Sequence, residues 1–291
     1  SGLVGSEMCI RDRSITMKIS IQKNNWLSIA EFIRRDLEDY VVRHNLRALV
    51  LGVSGGIDSA LTAALAAEAC RKLGISLYGR SITIETNTEA EKERARAVGN
   101  AFCTDFREVD LTTLYLSVRE EMEEVKIKEI SREDKVRRGN IKARLRMIYL
   151  YNLAQQHKGM VLSTDNRTEY MLGFWTLHGD VGDYTPLFGL WKTEVYALAR
   201  AWVEQETELS KRKALQACIE GLPTDGLGIS ASDTEQLGAR TYEEVDDTLK
   251  EYLEGDSLLG NPTVIGRHLA SEYKRRNPYC ITRGMLGLED I

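Results

Sequence analysis

The sequence predicts an α/β protein with a parallel, twisted sheet, helices on both faces of that sheet and a helical C-terminal part. The first observation is that short apolar runs alternate with longer amphipathic segments between residues 26 and 164, an order typical of strand–helix repeats. The second is that runs such as VLGV, residues 50–53, are apolar at successive positions, as in strands buried on both faces. The third is that mostly helical patterns follow residue 192.

Apolar periodicity and end signals define the elements of the N-terminal half. Residues 26–43 space their apolar side chains for one helix face, and the Ala- and Leu-rich residues 57–73 end at Gly74, a residue typical of helix C-termini. Thr88 precedes an acidic first turn and predicts an N-cap. The predicted helices are 26–43, 57–73, 88–102 and 112–126, and the predicted strands are 47–53, 77–84 and 106–111.

The second half begins with a densely charged stretch. Residues 126–139, KIKEISREDKVRRG, predict an exposed loop, and we expect this loop to close over the site and exclude water, as lids do. A helix over 141–157 and a strand over 159–164 follow. The predicted helices of the C-terminal part are 192–205, 241–254 and 262–276.

Composition excludes several classes of protein. The 291 residues carry a net charge of −5, which disfavours a nucleic-acid binder. The five cysteines include no CxxC pair and the four histidines form no HExxH, so we expect neither a disulfide framework nor a zinc site but reduced thiols in a cytoplasmic protein. No apolar run is long enough to span a membrane.

The first residues do not fit the rest of the chain. Residues 1–16 lack the apolar segment of a signal peptide and precede Met17. We therefore expect a non-native or disordered leader over 1–16, followed by a single domain over 17–291.

The stretch VLGVSGGIDS, residues 50–59, predicts an anion site. A strand that passes through a glycine turn into a helix exposes the first backbone N–H groups of that helix, and glycines let a phosphate approach them closely. Ser54 and Ser59 add hydroxyl donors. The alternative is a tight turn with a serine cap, which the complete SGGxDS string after a clean apolar strand disfavours.

Asp58 distinguishes this loop from the common phosphate-binding loops. The GxxxxGK[ST] and GxGxxG patterns are absent, and a carboxylate beside a phosphate is repulsive unless Mg²⁺ lies between them. The string resembles the pyrophosphate loop (PP-loop) of the ATP-pyrophosphatase superfamily. The resemblance implies an adenine nucleotide alpha hydrolase-like, Rossmann-like fold and cleavage of ATP between the α and β phosphates to adenylate an oxygen.

The second half narrows this resemblance to one family. GNIKARLR (139–146), STDNRTEYMLGFWTLHGDVGDYTPLFGLWK (163–192) and LPTD (222–225) resemble NAD synthetases in content, order and spacing, and the resemblance covers roughly residues 24–277. It implies adenylation of the nicotinate carboxylate of deamido-NAD by ATP, followed by amidation to NAD with release of AMP and pyrophosphate. Many relatives carry a lysine in the stretch where this chain has Leu177 and His178. Many also carry a His-Lys pair near the C-terminus, where this chain has Tyr273 followed by Lys274.

The resemblance implies a role for each matching residue. Asp58 and Lys192 would be catalytic, and Asp165 is our candidate to take a proton from ammonium. Asp58 and Glu169 would hold Mg²⁺. Arg144, Asp183 and Lys274 would contact deamido-NAD. The ATP contacts would be Gly52, Val53, Ser54, Gly55, Gly56, Ile57, Asp58, Ser59, Thr164, Lys192 and Thr224.

Each residue also has an ordinary structural interpretation. Asp58 would favour a helix N-terminus electrostatically without a metal, Glu169 would be a solvated helix charge and Lys192 a surface lysine. Arg144 would pair with a loop carboxylate, and Lys274 would cap a helix C-terminus. The assignment depends on these residues converging in the fold.

The nitrogen donor and the partners follow from the same resemblance. A glutamine-using relative carries an additional amidase domain with its own cysteine nucleophile, for which this chain has no room. We therefore expect ammonia as the direct donor, with a separate ammonia-supplying protein as an option. The resemblance also implies a homodimer, and we expect neither nucleic acid nor a membrane as partner.

Two other functions remain as alternatives. One is another PP-loop enzyme, such as a GMP-synthetase-like amidotransferase; a tRNA-modifying member is disfavoured by the negative net charge. The other is a non-catalytic adenine-nucleotide sensor, for which retention of Asp58, Glu169 and Lys192 together would be unnecessary. Release of AMP and pyrophosphate that depends on deamido-NAD discriminates among them.

Overall fold

The computed structural model describes residues 25–123, 130–224, 232–255 and 260–288. The predicted leader over residues 1–16 lies outside the described residues. Within them, Cys70, Cys103, Cys218 and Cys280 carry free thiols. In these parts of the chain we find no helix with the length and apolarity needed to cross a bilayer.

Four parallel strands form the sheet, in the order β3-β2-β1-β4. The two central strands, β1 and β2, pair from Ala48 opposite Ser76, and β1 pairs with β4 from Leu49 opposite Met160. All four strands were predicted, with ends that differ by one or two residues. Their bounds are β1 Ala48–Gly52, β2 Ser76–Thr83, β3 Asp105–Asp110 and β4 Met160–Leu162.

Helices connect and follow the strands. Most begin at a residue whose side chain accepts a hydrogen bond from the first turn, such as Asn25, Thr88 or Ser131. Their bounds are α1 Trp26–Arg43, α2 Ile57–Leu73, α3 Glu89–Phe102, α4 Thr112–Met122, α5 Arg132–Gln156, α6 Arg167–Leu172, α7 Lys192–Gln205, α8 Leu209–Glu220, α9 Asp233–Leu237, α10 Tyr242–Glu254, α11 Pro262–Ala270 and α12 Glu272–Arg275.

The two faces of the sheet are covered by different helices, as the alternation of strands and helices predicts. Leu49 and Leu51 of β1 point into the larger core, which is shared with α1, α2, α3, α7 and α8. Val50, between them, points to the opposite face and packs with Leu150 and Leu153 of α5. The successive residues of β1 are thus apolar because both faces of the strand are buried.

A separate apolar cluster holds the C-terminal helices together. Leu172 of α6 packs with Leu237 of α9, Val245 and Leu249 of α10, and Val264 of α11. This cluster lies beside the main core, so α6 is supported from the C-terminal part of the chain.

The carboxyl ends of β1 and β4 open side by side. Leu51 is paired with Leu162, so the segments that follow, 53–59 and 163–169, leave the sheet at the same edge. Two backbone hydrogen bonds extend the strands: the Val53 N–H donates to the Arg80 carbonyl, and the Ser163 N–H donates to the Tyr184 carbonyl, each at 2.8 Å. Ligands of parallel α/β sheets bind at such edges.

The predicted loop over 126–139 is wrong for its described second half. Ser131 caps α5 through Asp134, whose side chain accepts a hydrogen bond from the Ser131 N–H. Arg137 pairs with Asp134 one turn later at 3.2 Å. The charges that suggested a loop are therefore the exposed face of the first two turns of a helix, and residues 124–129 lie outside the described residues.

The C-terminal predictions need two corrections. The helix predicted over 262–276 divides at Ser271, whose hydroxyl donates to the His268 carbonyl at 3.0 Å, a side-chain bond that competes with the helix. The prediction also omitted α6, α8 and α9, and two of these are too short for a periodic signal.

Candidate active site

The loop after β1 is held by its own serines. The hydroxyl of Ser59 receives the Ser54 N–H at 3.2 Å and donates to the Gly56 carbonyl at 3.1 Å. The Gly56 N–H in turn donates to the Ser54 hydroxyl at 3.2 Å. Gly56 precedes α2 with no side-chain cap, so the first N–H groups of α2 are available to an anion, as the sequence predicts.

Helix α3 packs against this loop at Gly55. Gly55 has φ +84°, and a Cβ there would lie 2.3 Å from the Glu91 carbonyl oxygen. Arg94, one turn further along α3, donates from Nε to the Gly55 carbonyl at 2.9 Å. Glycine is required at position 55 by both the backbone conformation and the close approach of another backbone.

A buried ammonium joins the carboxylates of two elements. Lys192, only 2% exposed at the first position of α7, forms an ion pair with Asp58 of α2 and lies 3.3 Å from Glu169 Oε1 of α6. Asn166 donates from Nδ2 to Asp58 Oδ1 at 2.9 Å. Three residues that are distant in sequence therefore converge on one point beside the glycine loop.

Asn166 sets the position of Glu169 as well. Its side-chain oxygen accepts the Glu169 N–H at 3.1 Å, while the Glu169 carboxylate accepts the Asn166 N–H at 3.2 Å. This reciprocal cap fixes the start of α6. Because the same Asn166 side chain also contacts Asp58, the two carboxylates are held in a fixed relation to each other.

Burial and charge shift the ionisation of this cluster in definite directions. Burial alone would lower the pKa of Lys192, but the nearby charge of Asp58 raises it well above the ordinary value. Burial raises the pKa of Glu169 well above its ordinary range, despite the opposing charge of Lys192. The ammonium of Lys192 thus stays charged, while burial favours the protonated form of Glu169.

Two further carboxylates face the same space. Burial raises the pKa of Asp165 to about 6, although the Ser163 hydroxyl donates to it. Burial raises the pKa of Asp180 to about 7, with a contribution from the charge of Asp165. Asp180 accepts the Thr176 N–H at 3.0 Å. Buried acids with raised pKa values in a cleft are typical of functional sites.

These residues line one cavity of about 270 Å³. Its walls come from the β1–α2 loop, the ends of β2 and β4, α5 and the segment before residue 225. It contains every residue that the sequence assigned to ATP, to metal or to catalysis: Gly52, Val53, Ser54, Gly55, Gly56, Ile57, Asp58, Ser59, Thr164, Asp165, Glu169, Lys192 and Thr224.

The three residues assigned to the dinucleotide lie outside this lining. Arg144 donates to the Leu177 carbonyl at 3.0 Å on the exposed side of α5. Asp183 accepts the Tyr151 hydroxyl at 3.0 Å and the Val161 N–H at 2.9 Å, beside the edge of β4. Lys274 of α12 donates to the carbonyls of Gly173 and Trp175, which follow α6.

Several residues of the site were not identified from the sequence. Asn166 had a signal, the N-x-x-E spacing of a helix cap, and Asp180 stands in the quoted G-D pair. Arg94 and Glu91 had none, since their role depends on how α3 packs against the glycine loop. Glu91 accepts the Thr224 hydroxyl and so joins α3 to the Pro-Thr segment.

The carboxylates fit a divalent cation bound together with phosphates. Asp58 and Glu169 provide hard oxygen ligands that already converge on a cation, the Lys192 ammonium. Within the described ranges no group of three or more His, Cys, Asp or Glu side chains is arranged to hold a metal. Mg²⁺ is commonly bound by one or two carboxylates with substrate phosphates completing its shell, and this pair suits that mode.

Comparison with known proteins gives a consistent result. The sequence model of a family described as NAD synthase matches residues 29–278. An NH₃-dependent NAD⁺ synthetase of Finegoldia magna is 32% identical over 255 residues, spanning 87% of this chain and 95% of that protein. One from Methanosarcina acetivorans is 33% identical over 265 residues, spanning 86% and 94%.

A solved structure shares the fold. The NMN synthetase of Francisella tularensis superimposes with a TM-score of 0.73, over 89% of this chain and 99% of that one, at 24% identity. At this identity the likeness concerns the fold, a parallel sheet with helices on both faces.

The close approach at Gly55 leads to a testable difference between two glycines. Gly55 and Gly74 both have positive φ, but a Cβ at Gly74 meets nothing within 4 Å. Gly74→Ala is expected to cost about 1 kcal/mol of backbone strain. Gly55→Ala adds a clash with the Glu91 carbonyl and is expected to lower the melting temperature more. Equal melting temperatures for the two variants would contradict the described packing of α3 under the loop.

The raised pKa of Asp180 predicts a pH-dependent stability. Its ordinary pKa is 3.8 and its folded pKa is about 7, so between these values the folded chain holds a proton that the unfolded chain releases. The contribution of this group to the free energy of unfolding therefore falls as pH rises from about 4 to 7.

Asp180→Asn removes that titration, so the melting temperature of the variant minus that of the wild type should rise between about pH 5 and pH 8, by on the order of a few degrees. Scanning fluorimetry of both proteins at the two pH values measures the difference. A difference that is constant with pH would contradict the raised pKa.

Proposed function

The chain belongs to the NAD synthase family, and from this membership we propose that it is an ammonia-dependent NAD synthetase, which amidates the nicotinate carboxylate of deamido-NAD at the expense of ATP. The observation that carries the proposal is the convergence of the glycine loop, Asp58, Glu169 and Lys192 in one cavity. This arrangement suits a reaction in which pyrophosphate leaves from ATP.

The first step forms a mixed anhydride. A carboxylate oxygen of the substrate attacks the α-phosphorus of ATP, and the bond from that phosphorus to the α–β bridging oxygen breaks. The electron pair leaves with pyrophosphate, whose charge is received by the N–H groups and hydroxyls of residues 54–59. A free carboxylate is a poor acyl donor to ammonia, whereas its adenylate is a good one.

Lys192 has a defined task in this step. Its ammonium forms an ion pair with Asp58 and lies near Glu169. When a triphosphate enters, the same ammonium can turn from the carboxylates to phosphate oxygens. We propose that Asp58 and Glu169 then hold Mg²⁺, which when bound supplies charge neutralisation for the phosphates.

The second step replaces AMP with nitrogen. Ammonia attacks the carbonyl carbon of the adenylate, the bond from that carbon to the AMP oxygen breaks, and one proton leaves the nitrogen. We propose Asp165 as the group that takes a proton, either from incoming ammonium or from the attacking nitrogen. A carboxylate whose pKa is raised to about 6 is mostly ionised near neutral pH and is a stronger base than an ordinary aspartate.

We propose that two copies of the chain form the working enzyme. Arg144 and Asp183, the residues assigned to deamido-NAD, lie outside the cavity on a face that exposes Ile148 of α5 to 65%. A second copy on this face would cover the apolar side chain and close the dinucleotide end of the site. A cytoplasmic location, supported by the free thiols, and a separate ammonia-supplying protein belong to the same proposal.

Light scattering of the purified protein tests the homodimer. The expected particle mass is twice that of the 32.9 kDa chain, and Ile148→Glu should shift the mass toward that of one chain, because a charge cannot be buried there without a partner. A wild-type particle with the mass of one chain at micromolar concentration would contradict the proposal.

Product analysis tests the function. The purified protein with ATP, Mg²⁺, ammonium and deamido-NAD should form NAD, AMP and pyrophosphate in equal amounts, and glutamine in place of ammonium should give no NAD. Asp58→Asn should lower the rate at least about 100-fold while the variant stays folded by circular dichroism.

Parallel incubations distinguish the alternatives. Nicotinate mononucleotide in place of deamido-NAD tests the shorter substrate, and xanthosine monophosphate tests the GMP-synthetase-like reaction. A preference for either compound would overturn the proposed substrate. Binding of ATP with no AMP release on any of these compounds would indicate the nucleotide sensor.

A further inference from the structure

A buried carboxylate lies behind the ion cluster without lining the cavity. Asp246, on α10, is 0% exposed, and it is absent from the cavity wall. The cation whose charge acts on it is Lys250, one turn further along α10, and among the described residues the two form no ion pair within 4 Å. Burying a carboxylate is costly unless hydrogen bonds or a charged partner offset the lost hydration.

Its two oxygens contact two different elements. One oxygen accepts the hydroxyl of Thr168, the second residue of α6. The other accepts the N–H of Thr193, the second residue of α7, at 2.8 Å. The Thr168 hydroxyl also accepts the Lys192 N–H at 2.8 Å, so a single chain of hydrogen bonds runs from α10 to the starts of α6 and α7.

These bonds satisfy groups that α7 cannot satisfy alone. The residue before α7 is Trp191, which provides no side-chain cap, and the first N–H groups of a helix have no partner within it. Thr168 takes the N–H of Lys192 and Asp246 takes that of Thr193. A negative charge at this end of α7 is also favoured by the helix dipole.

The sequence neighbours of Thr168 and Thr193 are the residues that meet in the cavity. Thr168 is followed by Glu169, and Thr193 is preceded by Lys192. The hydrogen bonds of Asp246 therefore hold the backbone next to Glu169 and next to Lys192, the two residues whose side chains lie 3.3 Å apart. Helix α10 is itself a firm support, because its Val245 and Leu249 pack against Leu172 of α6 in one apolar cluster.

We propose that Asp246 is a positioning residue for the reaction: through Thr168 and the Thr193 N–H it sets Lys192 and Glu169 at the spacing that receives the triphosphate. This inference rests on the proposed function for its effect on turnover. Its effect on nucleotide binding does not depend on which acid is adenylated.

Asp246→Asn tests the role with little change of shape. Asparagine has one acceptor oxygen where aspartate has two, so it either loses the Thr168 hydroxyl or presents an N–H to the Thr193 N–H. The matched control is Asp247→Asn, the same change at the next residue of α10, where the side chain is 70% exposed and 3.9 Å from Lys250.

The first measurement is calorimetric titration with Mg²⁺ and α,β-methylene ATP, which binds without reacting. Asp246→Asn should bind the analogue about 10-fold or more weakly, as is typical when a supporting partner of a ligand-binding residue is lost, and Asp247→Asn should bind like the wild type. Equal binding by wild type and Asp246→Asn overturns the inference, whatever an activity assay shows.

The second measurement separates positioning from general stability. With deamido-NAD as substrate, well below the melting temperature of each variant, Asp246→Asn should lower kcat about 10- to 100-fold with little change in the KM for deamido-NAD. Thr168→Val should give a similar loss, and the double variant should be no worse than the worse single variant, because both belong to one chain of bonds.

The outcomes distinguish the positioning role of Asp246 from the proposed function of the protein. Multiplicative losses in the double variant, or a lower melting temperature with unchanged kcat, overturn the positioning role. If the wild type forms no NAD, but Asp246→Asn binds the ATP analogue more weakly than the wild type does, the result counts against the proposed function alone.

Discussion

The ion cluster of Lys192 with Asp58 and Glu169 is the interaction on which the site depends. A buried ammonium meets two partly exposed carboxyl groups, and such a group is stable only if its geometry and hydrogen bonds are well determined. Asn166, the cap of α6, donates to Asp58, and Thr168 of α6 accepts the backbone N–H of Lys192. This arrangement also suits the binding of a triphosphate with its cation. The phosphates can replace the carboxylates as partners of the ammonium, and the cation can replace the ammonium as partner of the carboxylates.

The fold explains why these groups meet. Strands β1 and β4 are neighbours in a parallel sheet, so the loop with Asp58 and the segment with Glu169 emerge at one edge. Helix α3 supports the loop through Gly55 and Arg94, and α10 supports the starts of α6 and α7. The sheet thus brings the segments together, and the C-terminal helices determine the final position of the charges.

The sequence predicted the sheet, and the strand, glycine turn and helix start of residues 50–59, well because these features depend on local signals. Apolar runs mark strands, and Gly74 and Thr88 mark helix ends within a residue. The start of α5 differs from the prediction because dense charge is typical of loops, whereas here the capping pattern of Ser131 and Asp134 begins a helix.

The other contacts of the site could not be predicted from local sequence patterns. Thr168 contacts Asp246 across 78 residues, and Asn166 contacts Asp58 across 108, so neither contact leaves a local pattern. Arg144, Asp183 and Lys274 were assigned by resemblance, and in the single chain they engage neighbouring carbonyls, a tyrosine hydroxyl and a backbone N–H.

A crystal structure with Mg²⁺ and α,β-methylene ATP tests the central claim most directly. The account predicts the β- and γ-phosphates against the N–H groups of residues 54–59, with the Lys192 ammonium moved from Asp58 to a phosphate oxygen and both carboxylates facing the cation. A nucleotide bound at another edge of the sheet, with Lys192 still paired to Asp58 and Glu169, would contradict it.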